Sequence, residues 1–266
     1  MDFTVASKTA FAATGGADFE AEKPLVVFVH GVSLNRTSWS LQTRYFAHHG
    51  YNVLAVDLPG HGRSEGPALA SIEEMADWLA ALIDATGVGR ASVIGHSMGS
   101  FVALQWAATH PKQATKIVVL GVAEAMPVHP ELLAAAERQD PLAYELMMGW
   151  SLAAASHRGS HEQPGMWMLD GGIRLFRDNP PEVVSIDLNA CATYQGAVAA
   201  AGRITCPTLF LLGAEDKMTP VRGARSVIES MANCEVRILP GTGHFIQVEQ
   251  ARTTIAVLST FLETSS

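Results

Sequence analysis

The chain has 266 residues, 48% of them hydrophobic and 17% charged; this is enough for one large α/β domain or a core with an insert, and it is the composition of a packed globule. The formal net charge of −8, with no basic run, disfavours nucleic acid, whose phosphates select for Lys and Arg. The start MDFTVASKTAFAATGG has no basic stretch leading into an apolar run, so it does not read as a signal peptide, and no apolar run approaches the ~20 residues of a membrane span.

Residues 9–24 are expected to form a hairpin and loop at the start of a sheet. LVVFV (25–29) then reads as a buried strand, followed by NVLAVD (52–57). SIEEMADWLAALIDATG (71–87) predicts a helix, with Ser71 as cap, Glu74 three residues on and Gly87 as stop. ASVIG (91–95) is a strand, and the helical stretch after it ends before Pro111. KIVVLG (116–121), TLFLLG (208–213) and CEVRIL (234–239) complete the strand set. Their near-unbroken Val, Ile and Leu suits parallel strands covered on both faces. TPVRGARSVIESMAN predicts a helix capped by Thr219 with Pro220 at its first position, and VEQARTTIAVLSTFLE predicts the last one. The alternation argues for a mostly parallel sheet between helices. Residues 122–207 break it, being too long for an ordinary crossover. HPELLAAAERQ and PLAYELMMGWSLAAAS within them read as amphipathic helices, so the segment is expected to be a helical insertion over one end of the sheet.

Ligands of open α/β sheets sit at the carboxyl ends of the strands, so the residues just past each strand carry the most information about chemistry. The third full strand leads into Gly95-His96-Ser97-Met98-Gly99. With 23 glycines and 18 serines, chance yields a G-x-S-x-G pattern in about one such chain in eight. Position adds what the motif lacks. Asp216 follows TLFLLG, and His244 follows CEVRIL in the glycine-flanked turn PGTGHF. A serine, an acid and a histidine therefore share one rim. A serine hydroxyl needs a base to take its proton as it attacks, and a histidine suits that role near neutrality. Ser97 also precedes a helix, so the N–H of Met98 is an unsatisfied first-turn donor.

HGV with Trp39 downstream, DLPGHGRS, GHSMG, GAEDKMTP and GTGHF together resemble the α/β-hydrolase superfamily over essentially the whole chain, most closely its small bacterial capped esterase and lactonase branch. The resemblance implies a mostly parallel eight-stranded sheet with helices on both faces. It implies a core of residues 1–121 and 208–266 and a helical cap of residues 122–207. It implies Ser97 as nucleophile, His244 as general base, Asp216 as its acid, and the backbone N–H groups of Val32 and Met98 as oxyanion donors. Glu215 and Glu124 are the competing acids. The implied reaction is hydrolysis of an ester or lactone through an acyl-enzyme, with no metal and no cofactor. The Met and Trp content of residues 122–207 points to a small apolar or aromatic substrate, the cysteines and the start of the chain point to the cytoplasm, and a homodimer is left open.

His30 belongs to the turn that carries Val32. With Trp39, Met126, Met147, Trp150 and Trp167 it makes up the expected substrate-binding set. Met126, Met147, Met148, Met166 and Met168 all fall in the insert, half of the ten methionines, and Met adapts to irregular apolar shapes. Arg158, Arg174 and Arg177 are read as surface groups rather than carboxylate ligands. His157 and His161 have i, i+4 spacing, but SHRGSHEQPG is no regular helix, so a loop is expected rather than a metal site. Asp57 is read as the carboxylate that holds the PGHGRS turn, with Arg63 and Ser64 shaping it. Cys191, Cys206 and Cys234 are an odd number without C-x-x-C spacing, which favours packing in a reducing compartment. A serine nucleophile departs from aspartate-dependent dehalogenases and epoxide hydrolases, and His96 stands where ring-cleavage C–C hydrolases commonly carry asparagine. C–C hydrolysis, perhydrolysis and a non-enzymatic ligand-binding role are the alternatives.

Overall fold

In the computed structural model, which describes residues 1–163 and 165–264, eight strands form one sheet in the order β1-β2-β4-β3-β5-β6-β7-β8. They are β1 Asp2–Val5, β2 Lys8–Ala13, β3 Leu25–Val29, β4 Asn52–Val56, β5 Ala91–His96, β6 Ala114–Leu120, β7 Thr208–Gly213 and β8 Cys234–Leu239. The pairs β1–β2 and β2–β4 are antiparallel and every other pair is parallel. The chain runs from β3 outward to β4 and then back past β3 to β5. The winding reverses there, which opens a crevice at the carboxyl ends of β3 and β5.

Alternation along each strand divides the core. Val27 and Val29 of β3 face a cluster that includes α2 (Ile72–Ala85), α3 (Met98–Thr109) and α8 (Ala197–Ala201), whereas Val26 and Phe28 face α1 (Ser40–Ala47) and α11 (Ala251–Glu263). Ser71 caps α2 by accepting the Glu74 N–H at 3.2 Å, and Gly87 ends it at φ +76°. Between β6 and β7 lie α4 (Pro130–Glu137), α5 (Leu142–Ser151), α6 (Met168–Arg177), α7 (Val183–Thr193) and α8. Leu132, Met147, Met148, Phe176 and Leu188 of this stretch form a cluster of their own, which takes in Leu34 after β3 and Phe245 after β8. The helices after β6 therefore pack against the turns at the carboxyl ends of the strands.

Four sequence expectations are corrected. The hairpin lies within residues 2–13, not 9–24; Asp2 pairs with Phe11, and the rest of the interval is loop. β8 is an edge strand that is half-buried or exposed from Cys234 to Ile238, not covered on both faces, and Ile238 is 50% exposed. The helix expected from Thr219 is a 3-10 turn, Val221–Ala224, followed by short α9 (Arg225–Glu229). Thr219 does not cap it, because its hydroxyl is drawn to Asp216. The closing helix is broken at Gln250 into α10 (Ile246–Glu249) and α11. Among the described residues no helix is long and apolar enough to cross a membrane.

Candidate active site

β5 ends at His96 and α3 begins at Met98, so Ser97 is the whole connection. Its backbone has φ 55° and ψ −118°, a region that costs a side-chain-bearing residue on the order of 1–3 kcal/mol and persists only where the surroundings impose it. The Ser97 N–H donates to Leu120 O at 2.9 Å, and the Ser100 N–H donates to Ser97 O at 2.8 Å. The Ser100 hydroxyl lies 2.9 Å from both Gly95 O and Leu120 O. A Cβ at Gly95 would collide with the Gly99 carbonyl, and one at Gly99 with the Val29 carbonyl. The two glycines let a helix start this close to the sheet, and the sharp turn lifts the Ser97 side chain into a cavity of about 350 Å³.

His244 reaches the same cavity from the turn after β8. Its N–H donates to Ser151 O at 2.5 Å, and its carbonyl lies 2.9 Å from His96 Nε2. A carbonyl only accepts, so His96 Nε2 carries the hydrogen. Burial first, and His244 second, lower the His96 pKa to about 3; His96 is a neutral strut under the His244 turn.

Asp216 is 6% exposed and lies 2.8 Å from His244 Nδ1 through Oδ2. Thr219 Oγ1 donates to that oxygen at 2.7 Å, and the Met218 and Thr219 N–H groups each donate to Oδ1 at 2.8 Å. Burial alone would raise the Asp216 pKa. The adjacent His244 and the hydrogen bonds from His244 and Thr219 outweigh it, and the net shift is downward. A carboxylate facing Nδ1 selects the Nδ1–H tautomer, so the lone pair of a neutral His244 sits on Nε2. That nitrogen is buried and has no hydrogen-bond partner among the described residues.

Val32 lines the same cavity as Ser97 and His244. Among the described residues, neither its N–H nor that of Met98 donates to a backbone or side-chain acceptor. One of these N–H groups belongs to the residue after Ser97 and the other to a residue lining its cavity. The arrangement brings together a hydroxyl, an imidazole held by a carboxylate and two N–H groups without an acceptor among the described residues, which are groups of the kind that acyl transfer uses.

Of the other expected substrate residues, Met126 and Trp150 line the large cavity, with Leu132 and Leu188. Met147 lines a small adjoining cavity of about 40 Å³ that also touches Ser97, His244 and Phe176. Three expected residues are elsewhere. His30 is fully buried, sharing its Nδ1 hydrogen with Gly31 O at 2.9 Å and accepting the Leu58 N–H on Nε2 at 3.1 Å. Both ring nitrogens are committed to backbone, and burial with His61 nearby lowers its pKa to about 3. Trp39 is also fully buried, with its ring 5.1 Å from Phe28 and 6.5 Å from His96; it backs the site from the core. Trp167 is 68% exposed and lines neither cavity.

The competing acids do not reach His244. Glu215 accepts the Ala154 N–H at 3.3 Å, and Glu124 bonds the Ser226 hydroxyl. Arg158, Arg174 and Arg177 are exposed. Asp57 binds the Arg36 guanidinium at 2.7 Å and the Arg63 N–H at 2.9 Å, which holds the 57–64 loop, and Ser64 Oγ donates to Asp57 O at 2.6 Å. His157 lies in a 3-10 turn and His161 binds Met166 O at 3.0 Å, so the pair is not gathered into a site; Pro164, part of the loop reading, lies outside the described residues. Among the described residues no three His, Cys, Asp or Glu side chains are placed to hold a metal.

Sequence reasoning missed Thr219, Ser100, Glu249 and Asp187. Glu249 is 2% exposed and accepts the Gly243 N–H at 3.0 Å, the Ala153 N–H at 2.9 Å and the Ser156 hydroxyl at 2.7 Å. It ties the His244 turn to the end of α5, although in VEQARTT it looks like part of a solvated helix face. Asp187 carried a usable signal: a lone acid in the apolar run VVSIDLNAC needs a partner if it is buried.

A model of the alpha/beta hydrolase family matches residues 26–257 of the chain. The sequence is 29% identical over 257 residues to a pimeloyl-acyl-carrier-protein methyl ester esterase of Chromobacterium violaceum, covering 91% of this chain and 96% of that one. Among solved structures, it resembles an N-acyl homoserine lactone degrading enzyme with a TM-score of 0.82, 26% identity and coverage of 98% of this chain and 100% of that one. The enol-lactonase of Burkholderia xenovorans shares the fold, with a TM-score of 0.89 at 19% identity over 99% of this chain and 100% of that one. With the family model spanning most of its length, the chain belongs to the alpha/beta hydrolase family and is an enzyme of the hydrolase type.

Proposed function

We propose that the protein is a serine hydrolase that cleaves the ester or lactone bond of a small apolar or aromatic substrate through an acyl-enzyme. The observation that carries this reading is the His244 imidazole, held by Asp216 at 2.8 Å with its unpartnered Nε2 in the cavity that Ser97 lines. His244 Nε2 takes the Ser97 proton as Oγ attacks the carbonyl carbon. The oxyanion of the tetrahedral intermediate is met by the N–H groups of Val32 and Met98. Each such donor is worth about 10²–10³ in rate, because it is aimed before charge develops. His244 then gives its proton to the leaving oxygen, which departs as an alcohol from an ester and stays tethered to the acyl group in a lactone. Water, deprotonated by the same nitrogen, releases the acid. Ser97, His244 and two backbone donors supply every step, so the scheme calls for neither metal nor cofactor.

Residues 122–207 act as a cap in this reading, and Met126, Leu132, Trp150 and Leu188 give the large cavity its apolar character. The ester and lactone relatives at 29% and 26% identity support both bond types. The three free cysteines fit a reducing cytoplasm.

Hydrolysis of p-nitrophenyl esters of graded chain length tests the reading. Ser97→Ala is expected to lower kcat by about 10⁴ or more with the fold intact, and a fluorophosphonate is expected to label Ser97. Retention of most activity by a clean Ser97→Ala preparation overturns it. A labelled Ser97 with no turnover of any ester, but cleavage of a dienone, moves the assignment to C–C hydrolysis.

A further inference from the structure

The turn that carries Val32 is strained: the Leu34 N–H closes it onto Gly31 O at 3.2 Å, and side chains from outside the turn clamp it further. Ser33 follows Val32 at φ +51° and is fully buried; a residue with a Cβ keeps that conformation only when its neighbours impose it. Two side chains from the helical segment after β6 impose it here. Asp187, in α7, accepts the Ser33 N–H on Oδ2 at 2.8 Å. Asn179, between α6 and α7, donates through Nδ2 to Ser33 O at 2.8 Å and to Leu34 O at 3.0 Å, while its Oδ1 accepts the Gly62 N–H at 2.8 Å. Every backbone polar group of Ser33 is thus bound by the helical segment.

Asp187 is itself held from the core. His61 Nε2 lies 2.9 Å from Asp187 Oδ2, and His61 Nδ1 lies 3.0 Å from Pro59 O. Both partners are acceptors, so both ring nitrogens carry hydrogen and His61 is an imidazolium. Burial alone would lower the His61 pKa, but the Asp187 carboxylate outweighs it and the net shift is upward. Both side chains of the pair are fully buried. Burying two charges is expensive, and the geometry shows what the pair secures in return. One oxygen of Asp187 joins the 57–64 loop, the Val32 turn and α7. The next residue, Leu188, lines the substrate cavity.

We propose that Asp187 and Asn179 are positioning residues that hold the strained Ser33 turn and so aim the Val32 N–H, making the oxyanion hole complete only when α7 is seated. The inference rests on the serine-hydrolase reading above. Asp187→Asn tests it well. If its oxygen faces Ser33, it no longer balances the imidazolium; if its amide faces a neutral His61, the Ser33 N–H loses its acceptor.

The experiment is saturable labelling of Ser97 by a fluorophosphonate, which separates chemistry (kinact) from binding (KI), alongside p-nitrophenyl acetate kinetics. Asp187→Asn and Asn179→Ala are each expected to lower kinact and kcat by about tenfold to a hundredfold, a partial loss of one oxyanion donor, with KI changed less than threefold. Adding Ser33→Gly, which relaxes the need for the clamp because glycine adopts this φ freely, is expected to return part of the lost kinact to whichever variant folds. Unchanged kinact in a folded variant overturns the inference. So does a loss confined to KI, which is what a loosened cavity alone would produce, and so does a kinact loss that Ser33→Gly leaves untouched. Failure of wild type to label at all overturns the serine-hydrolase reading instead. Asn179 is 6% exposed, at the rim of this cluster, and supplies the test if Asp187→Asn does not fold.

Discussion

Thr219 and His244 converge on one oxygen of Asp216, and two backbone N–H groups occupy the other. Asp216 therefore has no freedom to rotate, and His244 is presented in one orientation. Asp216→Asn should lower kcat by about 10⁴, because a carboxamide that keeps its donors satisfied presents the wrong tautomer to His244. Glu215→Gln should stay within threefold, since among the described residues the Glu215 carboxylate accepts only the Ala154 N–H; steady-state ester hydrolysis with both variants decides the order. Asp216 and His244 were legible because each ends a strand on the same rim. Thr219 was not. A threonine before Pro-Val reads as a helix cap, and only the folded turn shows its hydroxyl going to the carboxylate.

At the scale of elements, the β5–α3 junction is packed backbone against backbone. Gly95→Ala would push a methyl into the Gly99 carbonyl, a backbone atom that cannot swing away. Overpacking of this kind costs about 1–3 kcal/mol or more, so the urea midpoint should fall while the m-value stays near wild type. α3 is buried on nearly every side, from Met98 to Ala107, between the sheet, α2 and α8, which is why its sequence shows no amphipathic stripe. Its existence was still readable from the strand before it and the Pro111 after it. The break at Gln250 was not readable, because it depends on Glu249 turning inward to the His244 loop. Trp150→Ala should widen the large cavity and shift the preferred acyl chain of p-nitrophenyl esters to greater length. An unchanged chain-length profile would remove Trp150 from the substrate wall.

The whole molecule should lose stability on the acid side through its buried histidines. His30 and His96 are neutral in the fold, each lowered from 6.5 to about 3 by burial. Unfolding lets both take up a proton between those values. Their contribution is fully present above pH 6.5 and is lost as pH falls toward 3, at up to about 1.4 kcal/mol per pH unit each. His61 acts oppositely. Its folded value is raised, so its contribution is fully present below 6.5 and is lost as pH rises through that folded value. Urea unfolding at pH 7, 6 and 5 should show a falling midpoint. His96→Gln, which keeps a donor for the His244 carbonyl and cannot titrate, should flatten the slope. An equal slope in that variant would show that His96 is not neutral in the fold.

The sequence by itself determined the layered sheet, because runs of Val, Ile and Leu separated by helical stretches bury well only as parallel strands between helices. It also determined the rim on which Ser97, Asp216 and His244 meet, because strand ends are local features and chain order carries them to one edge. The tertiary structure alone decided what holds those groups still. Asp187 reaches the Ser33 turn across 154 positions and Glu249 reaches Ala153 across 96. A buried carboxylate is chosen by the donors the fold brings to it, and no local pattern of letters records which donors those are.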